Sequence, residues 1–347
     1  MRPRASPFLT REGGLDGLRR EEDCLLDFVI WQQRGLGNAE STIRSSLYAV
    51  RYRHLIEGCP DPLVGRPRLW LVLKSIKRKG GGTKRKYPVT ARMVRRVRYF
   101  LFSQDDDAVA ARVRADVAPK DAVSLWAGIL TAWYFLLRGG EWLAHDGRGY
   151  DPAKTILGSG IKGYGAGAEQ VHSLSEAEQV ALEVRASKVD QHNIGTWRNH
   201  FKTGDEMCPV EALAALQRQH PERFGTGSEC LRPLFRRHSG APILAFQVKS
   251  LLEAAAVAEG LPVDRFGSHS LRIGGASALL HAKVPIEIIK RWGRWVSDSF
   301  QRYLWESVED SRDLSKLMAQ DTTPLAITRQ GPGGGEGGST TRLRMRG

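Results

Sequence analysis

Cysteine is scarce in this sequence. Cys24, Cys59, Cys208 and Cys230 stand apart, with no CxxC pair and no histidine nearby at ligand spacing. That pattern argues against a zinc site and against a disulfide framework, and it fits a reducing compartment. Long apolar runs are missing too: 41% of the residues are hydrophobic, but nowhere do they approach the roughly 18 consecutive residues that a membrane-spanning helix needs. The first twenty residues mix Arg with Pro and Gly and lack the apolar core of a secretion signal. Carboxylates are under-represented, 38 Asp and Glu against 52 Lys and Arg, which leaves a formal net charge of +14. A polyanion suits that balance as partner, with a solvated basic surface as the bland alternative. The acidic triple Asp105, Asp106 and Asp107 reads as a loop or a solvated helix end. A divalent-metal nuclease needs converging carboxylates, so neither a metal nor another cofactor is implied.

A chain of 347 residues is long for one domain and comfortable for two. Residues 1–20 read as a disordered tail. Over 21–79, apolar residues recur at helical spacing: Leu25, Leu26, Phe28, Val29 and Ile30, then Ile43, Leu47, Val50 and Leu55, then 69–76. This is a small helical domain, with Arg44 and Arg51 on the polar side of its second helix. They could follow a phosphate backbone or simply face water. Lys77, Arg78 and Lys79 then precede a glycine run, and Lys84, Arg85 and Lys86 follow it. Two basic clusters flanking flexible glycines suit a linker lying on DNA, an exposed loop or a localisation signal, so 80–87 is taken as the domain boundary. The second domain spans 88–320. Thr90 is a natural N-cap for a helix over 91–102, and further helices are expected at 123–137, 210–217, 245–259, 270–282 and 285–292. Two short strands, 182–188 and 195–202, are expected between them. Residues 321–347 are rich in Gly and Arg and read as a disordered tail.

The chemistry-bearing stretch is HSLRIGGA at 269–276, followed by GRW at 293–295 and by Tyr303. An HxxR pair on a helix shares one face. Alone it says little, because His145 with Arg148 and His220 with Arg223 repeat the spacing. Its company is what separates the third pair. HSLRIGGA, GRW and a tyrosine ten residues after Gly293 resemble the C-terminal half of tyrosine recombinases, the phage-integrase family, with the flavour of eukaryotic mobile elements such as DIRS-type retroelements and Cryptons. Upstream, FLLRGGE at 135–141 resembles the family's first catalytic arginine with an acidic residue three positions on, and ASKVD at 186–190 resembles its β-hairpin lysine. The four matches follow the family's order across roughly residues 88–315.

The resemblance implies a mostly α protein with a small β-sheet: a helical, SAM-like core-binding domain and a mixed α/β catalytic domain, closing as a C-shaped clamp on duplex DNA. It implies strand cleavage and rejoining through a 3′-phosphotyrosine bond on Tyr303, with neither metal nor ATP. Arg138 and Arg272 would donate paired hydrogen bonds to the phosphate oxygens as negative charge builds on them. Lys188 would protonate the leaving 5′ hydroxyl, with Lys202 as backup. His269 would bind the phosphate and help accept the tyrosine's proton, and Glu141 would orient Arg138 or His269. Where the family usually has His or Trp directly after the glycine, this sequence has Arg294. Trp295 is then read as the packing or indole-donor residue, and Arg294 as a possible phosphate contact. By the same resemblance the working form is a homotetramer on two DNA sites, exchanging C-terminal segments near 308–318. Two other readings stay open: a DNA-binding protein derived from a mobile element that no longer cuts, and a relaxing enzyme of the type IB topoisomerase kind. The compartment would be the nucleus in a eukaryote and the cytoplasm otherwise.

Overall fold

The architecture follows from a computed structural model describing residues 14–80, 85–144, 149–185 and 195–305. The chain divides between Arg85 and Lys86 into two units.

Among the described residues the first unit holds three helices. α1 (Gly14–Ile30) begins inside the stretch expected as a tail and runs into a π-helical turn, Trp31–Gly35; α2 (Glu40–Ile56) and α3 (Pro67–Lys79) follow. One apolar stripe of each helix meets in a single cluster: Leu25, Leu26 and Val29 of α1, Ile43 and Leu47 of α2, and Leu69 and Leu73 of α3, with Leu63 from the connection. The four-residue spacing within α2 and α3 puts each pair on one face. Pro67 opens α3 where a missing N–H costs nothing. The buried Glu22 carboxylate then accepts from the Leu69 amide at 3.1 Å, satisfying one of the free donors of that helix start. Val50 and Leu55, expected to belong to the same pattern, are half-buried and exposed.

The second unit surrounds α6 (Pro119–Tyr134), in which twelve residues from Asp121 to Trp133 are buried. Before it come α4 (Ala91–Phe102), capped as expected by the Thr90 hydroxyl accepting from the Met93 amide at 3.2 Å, and α5 (Ala108–Asp116), which the sequence reading missed. Asp107, last of the acidic triple, is the N-cap of α5 and accepts from the Ala110 amide at 2.8 Å. Then come the strands β1 (Ile161–Tyr164), β2 (Gln170–Val171), β3 (Gln179–Val184) and β4 (Thr196–Phe201). Among the described residues they form one antiparallel sheet in the order β2-β1-β3-β4. The two expected strands correspond to β3 and β4, and β1 and β2 are additions. Among the described residues the helices α7 (Pro209–Gln219), α8 (Ala245–Ala258), α9 (Ser268–His281) and α10 (Ile286–Trp292) follow.

Two glycines of α9 set how the core closes. A Cβ at Gly274 would stand 2.0 Å from the Val89 carbonyl oxygen, and one at Gly275 would stand 2.1 Å from that of Trp133. Only bare backbone lets α9 lie this close to the start of α4 and the end of α6. Among the described residues no helix is long and apolar enough to cross a membrane.

Candidate active site

The site grows out of the end of α6. Leu136 adopts a left-handed conformation, φ +49°, and the Leu137 amide reaches back to the Ala132 carbonyl at 3.0 Å. This is a Schellman stop with leucine where glycine is usual, and a left-handed L-residue costs about 1–2 kcal/mol. The expected helix over 123–137 therefore ends at Tyr134. The turn throws Arg138 outward, and Glu141 folds back on it. The Glu141 carboxylate, 2% exposed by residue, accepts from the Arg138 amide at 2.8 Å and from its Nη1 at 3.1 Å.

Arg272 comes to the same place from α9. It is 1% exposed, donates from Nη1 to the Leu136 carbonyl at 2.5 Å and from Nη2 to the Gly293 carbonyl, and lies over the Trp295 ring at 4.3 Å. Gly293 itself must be small, since a Cβ there would fall 1.7 Å from the Trp295 ring. The next residue, Arg294, is left-handed at φ +59°, and this turns its guanidinium inward. Nη2 meets the Glu141 carboxylate at 2.7 Å, and Nη1 and Nη2 reach the Phe135 and Leu136 carbonyls at 3.2 and 3.3 Å. Arg138 closes the ring by donating from Nη2 to the Arg294 carbonyl at 3.3 Å. Burial pulls the Arg294 guanidinium below the ordinary arginine range, and Glu141 works against that pull.

Thus Arg138, Glu141, Arg272, Arg294 and Trp295 form one contiguous cluster. It holds three guanidinium groups against one carboxylate. Among its guanidinium groups Arg138, with 28% of its side chain exposed, opens most toward solvent. His269 is half-buried beside it, and burial, with the Arg272 and Arg138 charges, pushes its pKa down to about 4. The imidazole is therefore neutral at pH 7. The cluster can grip an oxyanion, and a bound anion would lift the His269 pKa back by supplying the opposite charge.

Tyr303 ends the 3-10 turn Asp298–Tyr303, and only its backbone is described. Its neighbours fix where that backbone runs. Phe300 is buried and packs on Trp295, rings 5.9 Å apart. The Trp305 amide donates to the Ser277 hydroxyl at 3.2 Å, and the Trp305 carbonyl lies 2.9 Å from His281 Nε2. Tyr303 is thus carried along α9, the helix that holds His269 and Arg272. Lys188 lies outside the described residues, as do Lys84, His145 with Arg148, and residues 308–318. Lys202 follows β4 and pairs with Glu178 at 3.5 Å and Glu211 at 3.3 Å.

Two side chains that the sequence reading passed over stand on β4. The strand alternates, with Thr196, Arg198 and His200 half-buried and Trp197, Asn199 and Phe201 turned outward. Arg198 donates to the Arg291 carbonyl at 3.0 Å and covers the Trp292 ring, and its charge is felt by Arg294. The rejected pair His220 and Arg223 has a different place. Arg223, 1% exposed, donates to the Ser124 hydroxyl and to the carbonyls of Leu234, Arg236 and Arg237, which makes it a strut of the core.

The basic residues of the first unit are partly engaged. Arg44 pairs with Glu40 and lies over Trp70 at 5.3 Å, and Arg51 meets Asp61 at 2.6 Å. Lys77, Arg78 and Lys79 are exposed in the last turn of α3, and Arg85 is exposed after it. Lys86 belongs to the second unit's frame, where it donates to the carbonyls of Asp264 and Phe266 at 2.9 and 3.1 Å.

No protein-family model and no curated protein matches the chain. Solved structures do. The XerH site-specific recombinase, bound to a palindromic difH substrate in a post-cleavage complex, is similar with a TM-score of 0.50 and 12% identity, covering 86% of this chain and 72% of that one. The Tn1549 transposon integrase in complex with transposon right-end DNA is similar at TM-score 0.47 and 14% identity, over 89% and 88%. A lambda integrase dimer bound to a COC′ core site matches at 0.43 and 13%, over 84% and 67%. The chain has the tyrosine recombinase fold: mostly helical, with a small antiparallel sheet.

Proposed function

We propose that this chain is a site-specific DNA recombinase or integrase that breaks and rejoins duplex DNA through Tyr303, with neither metal nor ATP. The observation that carries the proposal is the ring of Arg138, Glu141, Arg272 and Arg294, with His269 beside it, assembled from three distant stretches of sequence in a fold shared with XerH, itself captured on DNA after cleavage. In this reading the Tyr303 hydroxyl attacks phosphorus, a P–O bond to tyrosine forms and the P–O5′ bond breaks. The phenolic proton passes toward His269, and the 5′ hydroxyl leaves with a proton from Lys188. Arg138 and Arg272 stabilise the phosphorane oxygens, and losing such a donor costs about 100-fold to 1000-fold in rate. Glu141 and Arg294 hold Arg138, so Arg294 works from behind the phosphate site. The 3′-phosphotyrosine bond conserves the linkage for a new 5′ end to attack. The partners are double-stranded DNA and three further copies of the chain, with exposed cations such as Lys77, Arg78 and Lys79 contacting phosphates.

A second reading, a DNA-binding protein that no longer cuts, draws on Arg294 standing where a phosphate-facing His or Trp is usual, and on Arg272 being buried. Covalent trapping separates the two. Nicked duplexes of randomised sequence are incubated with the protein in chelator and then denatured in SDS. A DNA-linked species with wild type and none with Tyr303→Phe is the expected result. Tight binding of the same library without any trapped species would favour the binding protein.

A further inference from the structure

β4 meets both arginine-bearing segments, and one of its side chains, an imidazole, reaches both. The His200 ring is enclosed edge-to-face by Tyr134, Phe135 and Trp292, at centroid distances of 5.2, 4.5 and 5.4 Å. Its Nε2 lies 2.9 Å from the Tyr134 carbonyl. A carbonyl only accepts, so Nε2 carries the hydrogen and Nδ1 is bare. Burial pushes the His200 pKa down to about 4, which keeps this neutral tautomer throughout the physiological range.

What stands next to those contacts matters. Tyr134 is the last residue of α6, and the two carbonyls that follow it, Phe135 and Leu136, receive Arg294 and Arg272. Trp292 ends α10, and the next carbonyl, Gly293, receives the other end of Arg272. The turn at 134–138 holds a left-handed leucine, and the segment after Trp292 holds a left-handed arginine, so both are strained and persist only where their surroundings hold them. Arg198, two residues earlier on the same face of β4, adds a second tie to α10 through the Arg291 carbonyl at 3.0 Å.

We infer that His200 is a positioning residue for the arginine cluster: by donating to the Tyr134 carbonyl and packing on Phe135 and Trp292, it fixes β4, the end of α6 and the end of α10 in one register. This rests on the recombinase reading for its kinetic consequence, but not for its structural one. A shift of about 1 Å in a catalytic group placed from behind can cost about 100-fold in rate.

The test uses the full-length chain with His200→Phe, which keeps a ring and loses the donor, and His200→Gln, whose Nε2 amide restores a donor at similar reach. With a nicked duplex that traps wild type, His200→Phe is expected to slow covalent-complex formation about 10-fold to 100-fold while the DNA Kd stays within about twofold, and His200→Gln should recover most of the loss. In parallel, amide exchange at Phe135 and Leu137, whose N–H groups bond the Thr131 and Ala132 carbonyls, should quicken about fivefold in His200→Phe, as for one lost hydrogen bond, and slow again in His200→Gln. Wild-type trapping and exchange rates in His200→Phe would overturn the inference. So would a loss that His200→Gln does not recover. If wild type traps nothing, the recombinase reading falls, and the exchange rates still decide whether His200 holds the turn.

Discussion

Glu141→Gln is the sharpest perturbation of the cluster, because it changes charge and almost nothing else. The carboxylate is 2% exposed and takes three hydrogen bonds, from the Arg138 amide at 2.8 Å, from Arg138 Nη1 at 3.1 Å and from Arg294 Nη2 at 2.7 Å. A glutamine keeps one acceptor oxygen and turns an NH2 toward donors, so at least one contact to a charged partner is lost, at about 1.5–3 kcal/mol. Arg294, whose side chain is 6% exposed, is left as a buried cation without its counter-charge. Breaking a buried pair in this way costs about 3–5 kcal/mol in all. Arg138, being partly exposed, can recover some solvation, which places the expected loss near the lower figure. The assay is urea unfolding followed by amide exchange in α6, which reads the second unit alone, within a double-mutant cycle against Arg294→Met. Removing both charges should be milder than the sum of the single changes, with a coupling of about 2–3 kcal/mol. Additivity within about 0.5 kcal/mol would mean that Glu141 and Arg294 do not act as a pair, and the account of Arg294 as the brace of Arg138 would fail.

Gly275→Ala should destabilise the second unit by about 1–3 kcal/mol, the usual range for overpacking, because the new methyl meets the Trp133 carbonyl oxygen at 2.1 Å and the Leu136 side chain at 2.5 Å. Backbone cannot rotate aside, so α9 must move with Arg272, and trapping should fall while DNA binding holds. Normal stability and normal trapping together would show that the close approach is not needed. Acid should destabilise the fold through His200. Its pKa lies near 4 in the native state against 6.5 unperturbed, so between these values the unfolded chain takes up a proton that the folded one refuses. Stability present above pH 6.5 is lost as pH falls toward 4, by about 3 kcal/mol at 1.36 kcal/mol per pKa unit. Urea midpoints at pH 7 and pH 4 should differ less in His200→Gln than in wild type, and an equal difference in both would remove His200 as the source.

What could be read from the sequence was whatever depends on side-chain type at short spacing. HSLRIGGA carries His269, Arg272 and the two glycines within eight residues, and all of them belong to one helix face or one close contact. The cap at Thr90 and the helix of 91–102 were legible for the same reason, since a cap is a contact across three residues. Helix ends set by strain were not. Nothing in the string FLLRGG says that Leu136, with two glycines three and four residues on, takes the left-handed stop and ends α6 at Tyr134.

The direction of Arg294 was illegible on deeper grounds. Its position was visible from the glycine before it, but an arginine with a negative φ at that place would send its side chain elsewhere. The turn toward Glu141 comes from φ +59°, a conformation arginine adopts only when tertiary contacts over-determine it. Those contacts come from the Phe135 and Leu136 carbonyls and the Glu141 carboxylate, more than 150 residues earlier in the chain. His200 follows the same logic. Alternation in TWRNHF predicts that Arg198 and His200 share a face, yet what they face is set by how β4 pairs with β3, Val180 opposite His200 and Leu182 opposite Arg198. That register delivers the imidazole to Tyr134 and the guanidinium to Arg291. The residues that would touch the phosphate are chemically conspicuous because the reaction needs their kind. Those that aim them are ordinary side chains made specific by register and strain, and only three-dimensional structure picks them out.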